Sequence, residues 1–141
     1  MTRAVFVYGT LTFPEIAAAV TGRALYGEPA TLAEHARFQV RDAPFPGIVP
    51  RTGASVPGLV FPGIDATALA RLDEFEGEMY VRTRVRCDTA AGSVDAEAYV
   101  IHPDWRSALL DLPWDADAFA RDWHQAYLHR LGAAVNPGES R

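Results

Sequence analysis

Hydrophobic residues first form an uninterrupted run near the start of the chain. Residues 4–8, AVFVY, are followed by Gly9, which ends the run. A run without polar alternation is typical of a strand buried on both faces. Two short segments, ARFQV at residues 36–40 and VPGLVF at residues 56–61, predict further strands, separated by the proline-rich segment DAPFPGIVP at residues 42–50. The strand at residues 4–8 is expected at the centre of the sheet.

A later region alternates strictly between polar and apolar positions. Residues 80–88, YVRTRVRCD, and residues 94–101, VDAEAYVI, flank a turn at TAAGS and predict a β-hairpin. If the turn is tight, the strand register places Arg84 opposite Glu97 and Arg86 opposite Asp95. Each cross-strand ion pair contributes up to roughly 1 kcal/mol. Ion pairing is the favoured explanation of this arginine stripe, and contact with an anionic ligand is the alternative.

Two segments show start and stop patterns of helices. TFPEIAAAVTG, residues 12–22, has Thr12 and Glu15 at capping-box spacing and a glycine at its end. DATALARLDEFEG, residues 65–77, has Asp65 as its predicted N-cap and also ends in glycine. Both segments are therefore predicted to be helices that end at their glycines.

The clearest helical pattern is WDADAFARDWHQAYLHRLG, residues 114–132. Asp115 is its predicted N-cap, and Trp114 and Phe119 have the spacing of a hydrophobic staple. One stripe carries four large side chains, Phe119, Trp123, Tyr127 and Leu131. We expect this stripe to pack on the body of the protein, in preference to binding a cofactor.

Strands and helices without regular βαβ alternation indicate an α+β fold, with a mixed or antiparallel sheet that can curl into a barrel. The 141 residues suit one domain, expected at residues 1–132, with a flexible tail at residues 133–141. No apolar run reaches the length of a membrane span, and the first residues lack a signal-peptide pattern. We expect neither membrane insertion nor export by that route.

Charge and cysteine content narrow the possible functions. The thirteen basic residues, all arginine, and eighteen acids give a net charge of −5, and no basic cluster is present. Nucleic acid is therefore an unexpected partner, because binding it requires a basic surface. Cys87 is the single cysteine, which excludes an internal disulfide and a Cys-x-x-Cys motif and fits a reducing cytoplasm.

Several chemistries lack their motifs. No serine lies in a Gly-x-Ser-x-Gly elbow, and a P-loop would need a lysine, which the chain lacks. His124 and His129 are five residues apart, whereas two metal ligands on one helix face are three or four apart. Cys87 is expected to be a small buried hydrophobic residue and not a nucleophile. We expect no metal and no cofactor, which leaves carboxylate acid–base chemistry.

Four carboxylates lie in the segment LDEFEGEMYVR, residues 72–82. With about 100° per residue, the apolar side chains of the helix define an inward direction. Glu76 lies roughly 50° from it, Asp73 about twice as far and Glu74 nearly opposite. Glu78 follows the terminal glycine, so its direction is not determined. Glu76 is the candidate acid–base, because burial raises a carboxyl pKa; a buried glutamate paired with an arginine or Tyr80 is equally consistent.

The turn after the first strand is a second candidate element. In VYGTL, the glycine permits close approach, and the backbone N–H groups of Gly9, Thr10 and Leu11 can hold an anion or a developing oxyanion. An ordinary turn at the end of a strand explains the same segment, and on its own the pattern favours that simpler interpretation.

Taken together, these motifs resemble the gamma-glutamylcyclotransferase-like family, in the branch of gamma-glutamylamine cyclotransferases and plant avirulence-induced-gene proteins. The matching elements occur in the family's order: VFVYGTL, PFPGIVP, VPGLVF, LDEFEGEMYVR and LPWDADAFARDWHQAYL. The resemblance covers roughly residues 5–128. Phe45 in PFPGIVP departs from the tyrosine of many relatives, which removes one hydroxyl.

The resemblance implies a small mixed β-barrel flanked by helices. It also implies that Tyr8, Gly9, Thr10 and Leu11 bind the substrate and that Glu76 is the general acid–base. In the family's reaction the α-amine of a γ-glutamyl group attacks its own side-chain amide, forming 5-oxoproline and releasing an amine without a cofactor. The alternative is a non-catalytic protein that binds a small carboxylate or amide on the same barrel. The sequence leaves open whether the released group is an amine or an amino acid, and whether the protein is a monomer or a homodimer.

Overall fold

The computed structural model describes residues 2–135 of the chain. Five strands form the sheet: β1 (Arg3–Val7), β2 (Glu28–Gln39), β3 (Pro46–Ile64), β4 (Tyr80–Thr89) and β5 (Gly92–Ile101). Four α-helices accompany them: α1 (Pro14–Thr21), α2 (Ala66–Glu76), α3 (Ala116–Asp122) and α4 (His124–Val135). Short 3₁₀ turns occupy Thr10–Thr12, Gly77–Met79 and Pro103–Ala108.

The sheet closes on itself in the strand order β1-β3-β2-β4-β5. β1 pairs antiparallel with β3 and parallel with β5, so that the sheet is mixed. The expected α+β fold with a small mixed barrel and flanking helices is therefore confirmed.

Two hydrophobic clusters lie on opposite sides of β1, and they explain its uninterrupted apolar sequence. Phe6 belongs to the strand cluster, which is formed mainly by side chains of the five strands. Val5 and Val7 belong to the helix-side cluster, which the strands share with the helices. Val5, Phe6 and Val7 are all buried. The prediction of a central strand buried on both faces is confirmed.

β2 and β3 are much longer than the segments that suggested them. They pair antiparallel along most of their length, with a register shift between Ala33 and His35, where Glu34 has a φ of 61°. The interpretation of residues 42–50 as an irregular proline-rich segment is wrong from Pro46 onward, where β3 begins. Prolines lack the N–H that a strand ladder uses, so they suggested strand ends where pairing with β2 in fact continues.

The β4–β5 hairpin has the predicted register, with Arg84 opposite Glu97 and Arg86 opposite Asp95. Arg86 and Asp95 form the expected ion pair at 3.2 Å. Glu97 instead binds Arg82 at 2.8 Å and Arg3 at 3.1 Å. The Arg84–Glu97 ion pair was therefore predicted wrongly, because diagonal and neighbouring-strand arginines occupy that carboxylate.

α1 begins later than predicted. Its N-cap is Phe13, and the Thr12 hydroxyl donates a hydrogen bond of 2.6 Å to the Gly9 carbonyl oxygen within the preceding 3₁₀ turn. The Thr12–Glu15 capping box is thus wrong, because a separate 3₁₀ turn takes up Thr12. Gly22 ends the helix with a φ of 82°, as predicted.

α2 matches its prediction at both ends. The Asp65 carboxylate accepts a hydrogen bond of 2.9 Å from the Ala68 N–H, and Gly77 follows the helix with a φ of 74°. Leu69 and Leu72 are buried against the barrel. The helix is thereby fixed in rotation as well as in length.

The C-terminal helix is broken at Trp123 into α3 and α4. Asp115 caps α3, and the Trp114 and Phe119 rings pack with centroids 6.0 Å apart, as the staple predicted. Trp123 was wrongly assigned to the buried stripe, because the break turns its side chain outward, with 43% of its surface exposed.

α4 continues to Val135, beyond the predicted domain end, and residues 136–141 of the predicted tail lie outside the described residues. Within residues 2–135, no helix has the length and apolar composition needed to cross a membrane.

We expect Leu72→Ala to lower the free energy of unfolding by about 2–5 kcal/mol, because it removes a fully buried side chain that fixes α2 against the barrel. Urea denaturation followed by circular dichroism measures this change. Glu74→Ala on the exposed face of the same helix is the control, with an expected effect within about 0.5 kcal/mol. Equal losses for both variants would contradict the assigned orientation of α2.

Candidate active site

A cavity of about 330 Å³ opens where β1 ends. The turn after β1, the C-terminal end of α2 and one face of α4 surround it, and the predicted site residues Tyr8, Gly9, Thr10, Leu11 and Glu76 all line it. The structure therefore brings the turn after β1 and the glutamate at the end of α2 into one cavity. The volume is at the lower end of the range of small-molecule sites, roughly 300–1,000 Å³.

Glu76 is the last residue of α2 and faces this cavity, as the helical geometry predicted. It is half-buried, and it forms no hydrogen bond or ion pair with any other residue in the described range. Burial raises the pKa of Glu76 from its ordinary value of 4.5 to about 8. A carboxyl group with this pKa exchanges protons at neutral pH.

The other acids of the segment have different surroundings. Asp73 accepts a hydrogen bond of 2.7 Å from the Tyr99 hydroxyl and pairs with Arg82 at 3.0 Å, whereas Glu74 and Glu78 are exposed. The alternative of a Glu76 paired with an arginine or with Tyr80 does not occur among the described residues. The Tyr80 hydroxyl instead donates to the Pro46 carbonyl oxygen at 2.7 Å.

Tyr8 is held by hydrogen bonds at both its side chain and its backbone. Its hydroxyl donates to the Tyr99 carbonyl oxygen at 2.5 Å, and its own carbonyl oxygen accepts a hydrogen bond of 2.6 Å from Arg37. The Arg37 guanidinium also lies 5.4 Å from the centre of the Trp114 ring. Burial raises the pKa of Tyr8 well above its usual value, so that the phenol stays neutral. The structure thus ties the Tyr8 hydroxyl to the fold, and the residue contributes an aromatic surface to the cavity.

The turn after Tyr8 passes close to the start of β3. A Cβ atom on Gly9 would lie 2.7 and 2.8 Å from two ring carbons of Pro46, which leaves room only for glycine. Thr10 and Leu11 begin a 3₁₀ turn, and the first N–H groups of a helical turn have no partner within it. These N–H groups lie on a segment that lines the cavity. Leu11 is also part of the helix-side cluster, which anchors the turn.

Much of the cavity wall was not predicted from the sequence. Phe45, Tyr80, Tyr99 and Tyr127 supply aromatic surface, and Arg130 supplies a cation. Tyr127, Arg130 and Leu131 recur at the i, i+3 and i+4 positions of α4, a spacing that could have identified a cavity-facing helix. The stripe pattern instead suggested only core packing.

The cavity tyrosines are neutral groups. Burial, as the largest cause, raises the pKa of Tyr80 and of Tyr99 well above 10, and it raises the pKa of Tyr127 to about 12. These neutral phenols place no negative charge beside Glu76, whose pKa is raised by burial.

No group of three or more histidine, cysteine, aspartate or glutamate side chains is placed to hold a metal ion within residues 2–135. Cys87 lies in the cluster of strand side chains, where burial raises the pKa of its thiol to about 11. This placement agrees with the predicted role of Cys87 as a small hydrophobe.

The chain matches the family model described as gamma-glutamyl cyclotransferase, AIG2-like, over residues 5–125. Protein AIG2 C of Arabidopsis thaliana is 34% identical over 99 residues, which are 68% of this chain and 59% of that protein. AIG2-like protein D of the same plant is 32% identical over 68% of this chain and 65% of its own length. The chain thus spans about three fifths of the length of these curated relatives.

Solved structures of other proteins share the fold. The solution structure of a protein from Arabidopsis thaliana has a TM-score of 0.69 and 26% identity, covering 98% of this chain and 87% of that one. A structure named gamma-glutamyl cyclotransferase has a TM-score of 0.69 and 17% identity, covering 96% and 80%. At that identity the second match concerns the fold alone. From the family match, the chain belongs to the gamma-glutamyl cyclotransferase, AIG2-like family.

We expect Glu76→Gln to stabilise the protein more at pH 8.5 than at pH 6. The folded carboxyl keeps its proton up to about pH 8, whereas in the unfolded chain it ionises near pH 4.5. Between these values the folded state binds more protons, so the free energy of unfolding of the wild type falls as pH rises, by at most about 1.4 kcal/mol per pH unit. Glutamine removes this loss.

Urea denaturation at the two pH values measures the difference between variant and wild type. Glu78→Gln, in the exposed turn beyond α2, removes the same charge and serves as the control. A stabilisation by Glu76→Gln that is equal at both pH values would contradict the raised pKa.

Proposed function

We propose that this protein is a cofactor-free cyclotransferase that converts a γ-glutamyl amine or a γ-glutamyl amino acid into 5-oxoproline and a free amine. Glu76 is the general acid–base in this proposal. The observation that carries it is an unpaired carboxyl group of raised pKa in the same small cavity as the Gly9–Leu11 turn. Membership in the family supplies the class of reaction.

The reaction begins with proton transfer. Ionised Glu76 removes a proton from the substrate's α-ammonium group, and the resulting amine attacks the side-chain amide carbon to form the new C–N bond. Glu76, protonated by this first transfer, donates that proton to the leaving nitrogen as its bond to the carbon breaks, and the regenerated carboxylate removes the second proton from the attacking nitrogen. The released amine takes up this last proton, so that Glu76 returns to its ionised form. One carboxyl group can mediate these transfers in turn, because a pKa near neutrality suits a group that accepts and then donates a proton.

The remaining acceleration is assigned to positioning. The amine and the amide carbon belong to one molecule, so restricting the γ-glutamyl chain to its cyclising conformation removes much of the entropic barrier. The neutral aromatic walls formed by Phe45, Tyr80 and Tyr99 are suited to this restriction.

The backbone of Gly9, Thr10 and Leu11 is assigned to bind negative charge. Its N–H groups can hold the substrate's carboxylate, or the oxyanion that forms on the amide oxygen, and one well-placed donor contributes on the order of 3 kcal/mol to an oxyanion. The close contact of Gly9 with Pro46 fixes this backbone before the substrate arrives. The donors therefore need little rearrangement during the reaction.

A binding protein without turnover is the second candidate, and one observation favours it. With a pKa of about 8, Glu76 is mostly protonated at neutral pH and can donate a hydrogen bond to a bound amide or carboxylate. Such a protein would retain γ-glutamyl ligands without releasing 5-oxoproline.

We expect Glu76→Gln to abolish release of 5-oxoproline, with a loss of at least about a hundredfold, because glutamine cannot transfer the proton. The assay incubates each protein with γ-glutamyl amino acids and γ-glutamyl amines and quantifies 5-oxoproline by mass spectrometry. Glu74→Gln, the same change on the exposed face of α2, is the matched control. Ligand binding by the wild type without any turnover would favour the second candidate.

We also expect kcat/KM to rise with pH up to about 8, because only ionised Glu76 accepts the substrate's proton. The same ionisation should appear in the carboxyl carbon-13 shift of Glu76 in the free protein, which separates it from titration of the substrate amine. An ionisation of Glu76 near pH 4.5 would contradict the proposed tuning by burial.

A further inference from the structure

Arg130 brings a positive charge to the cavity. It lies on α4, where its side chain is exposed to solvent and lines the cavity at the same time. Its guanidinium carbon is 5.6 Å from the centre of the Tyr127 ring, a contact that orients the side chain along the cavity wall. Among the described residues, Arg130 has no ion-pair partner.

The cavity contains few groups that are charged at neutral pH. Among the described residues that line it, Glu76 is the one carboxylic acid and Arg130 the one basic side chain; the others are apolar, aromatic, glycine or threonine. An arginine in such surroundings is suited to binding a carboxylate, because its planar guanidinium can donate two parallel hydrogen bonds.

Arg130 is not the partner of Glu76. The two form no ion pair, and burial raises the pKa of Glu76 without a nearby cation to lower it. A guanidinium beside Glu76 would favour the ionised carboxylate and bring the pKa down. The charge of Arg130 is therefore available to a ligand.

The depth of the groups in the cavity orients the substrate. Thr10 and Leu11 are buried, whereas Arg130 is exposed at the opening. If the γ-glutamyl group reacts beside Glu76 and the turn, the group on the other side of the scissile amide extends towards the opening. A carboxylate on that outer group would meet Arg130.

We propose that Arg130 binds the α-carboxylate of the departing amino acid, so that it selects γ-glutamyl amino acids over γ-glutamyl amines. This inference rests on the proposed function. A γ-glutamyl amino acid carries two carboxylates, and the Gly9–Leu11 turn can hold at most one of them, the one on the γ-glutamyl side. Arg130 accounts for the second.

The overall charge of the protein supports this assignment. The chain has a net charge of −5, which repels anions. A γ-glutamyl derivative of a neutral amino acid carries a net charge of −1, whereas the derivative of an uncharged alkylamine is neutral overall. A cation at the opening offsets repulsion that only the anionic substrate experiences.

The test compares γ-glutamylalanine with γ-glutamylethylamide, which differ only in the outer carboxylate. We expect Arg130→Gln to lower the ratio of kcat/KM for γ-glutamylalanine to kcat/KM for γ-glutamylethylamide by about tenfold. This is the effect expected for the loss of one charge-assisted contact. Arg130→Lys keeps the charge without the planar fork and should lose less. Arg121→Gln on α3, an exposed arginine outside the cavity, is the matched control.

An unchanged ratio in Arg130→Gln would overturn the inference, and so would equal losses on both substrates, which would assign Arg130 to the γ-glutamyl carboxylate. Calorimetric binding of both compounds to Glu76→Gln, with and without Arg130→Gln, gives the same comparison without turnover. If the wild type releases no 5-oxoproline but Arg130→Gln still weakens binding of γ-glutamylalanine alone, the proposed function fails and the Arg130 contact stands. If turnover occurs and the ratio is unchanged, the reverse holds.

Discussion

Burial of β1 on both of its faces is the constraint on which the rest of the structure depends. One face contributes Phe6 to the strand cluster and the other contributes Val5 and Val7 to the helix-side cluster, so β1 belongs to both cores at once. A strand fixed in this way cannot slip in register without moving apolar side chains between the two environments. The turn that follows therefore leaves the sheet at a defined point, where its residues line the cavity.

The position of Glu76 shows how a buried carboxyl group can be left without a hydrogen bond or ion pair while a neighbouring acid holds the helix. Asp73, one turn earlier, takes the hydrogen bond of Tyr99 and the ion pair with Arg82, which connect α2 to the hairpin. Arg82 is in turn bound to Glu97. These contacts orient the end of the helix without using either oxygen of Glu76. The fold thus separates the residue that anchors the helix from the residue that faces the cavity.

The sequence predicted those parts of the structure that local patterns determine. The ends of α2 at Asp65 and Gly77, the hairpin register and the inward direction of Glu76 all follow from periodicity and end signals. The length of β3 did not follow, because pairing with β2 overrides the effect of its prolines. The break at Trp123 was also missed, since a continuous stripe cannot show where tertiary packing divides a helix. Tyr99 and Arg130 enter the cavity only through the closure of the barrel and the docking of α4, which are long-range events.

The cavity has two sides that are held in place by different parts of the structure. β1 and α2 hold the turn and Glu76, whereas α4 is joined to the barrel largely through α1, where His124 packs 5.0 Å from the Phe13 ring and its Nε2 lies 3.3 Å from a Glu15 oxygen. A change in how α4 rests on α1 would move Tyr127 and Arg130 and leave Glu76 in place. On the proposed assignments, the choice of leaving group can therefore drift during evolution while the proton-transfer chemistry is conserved.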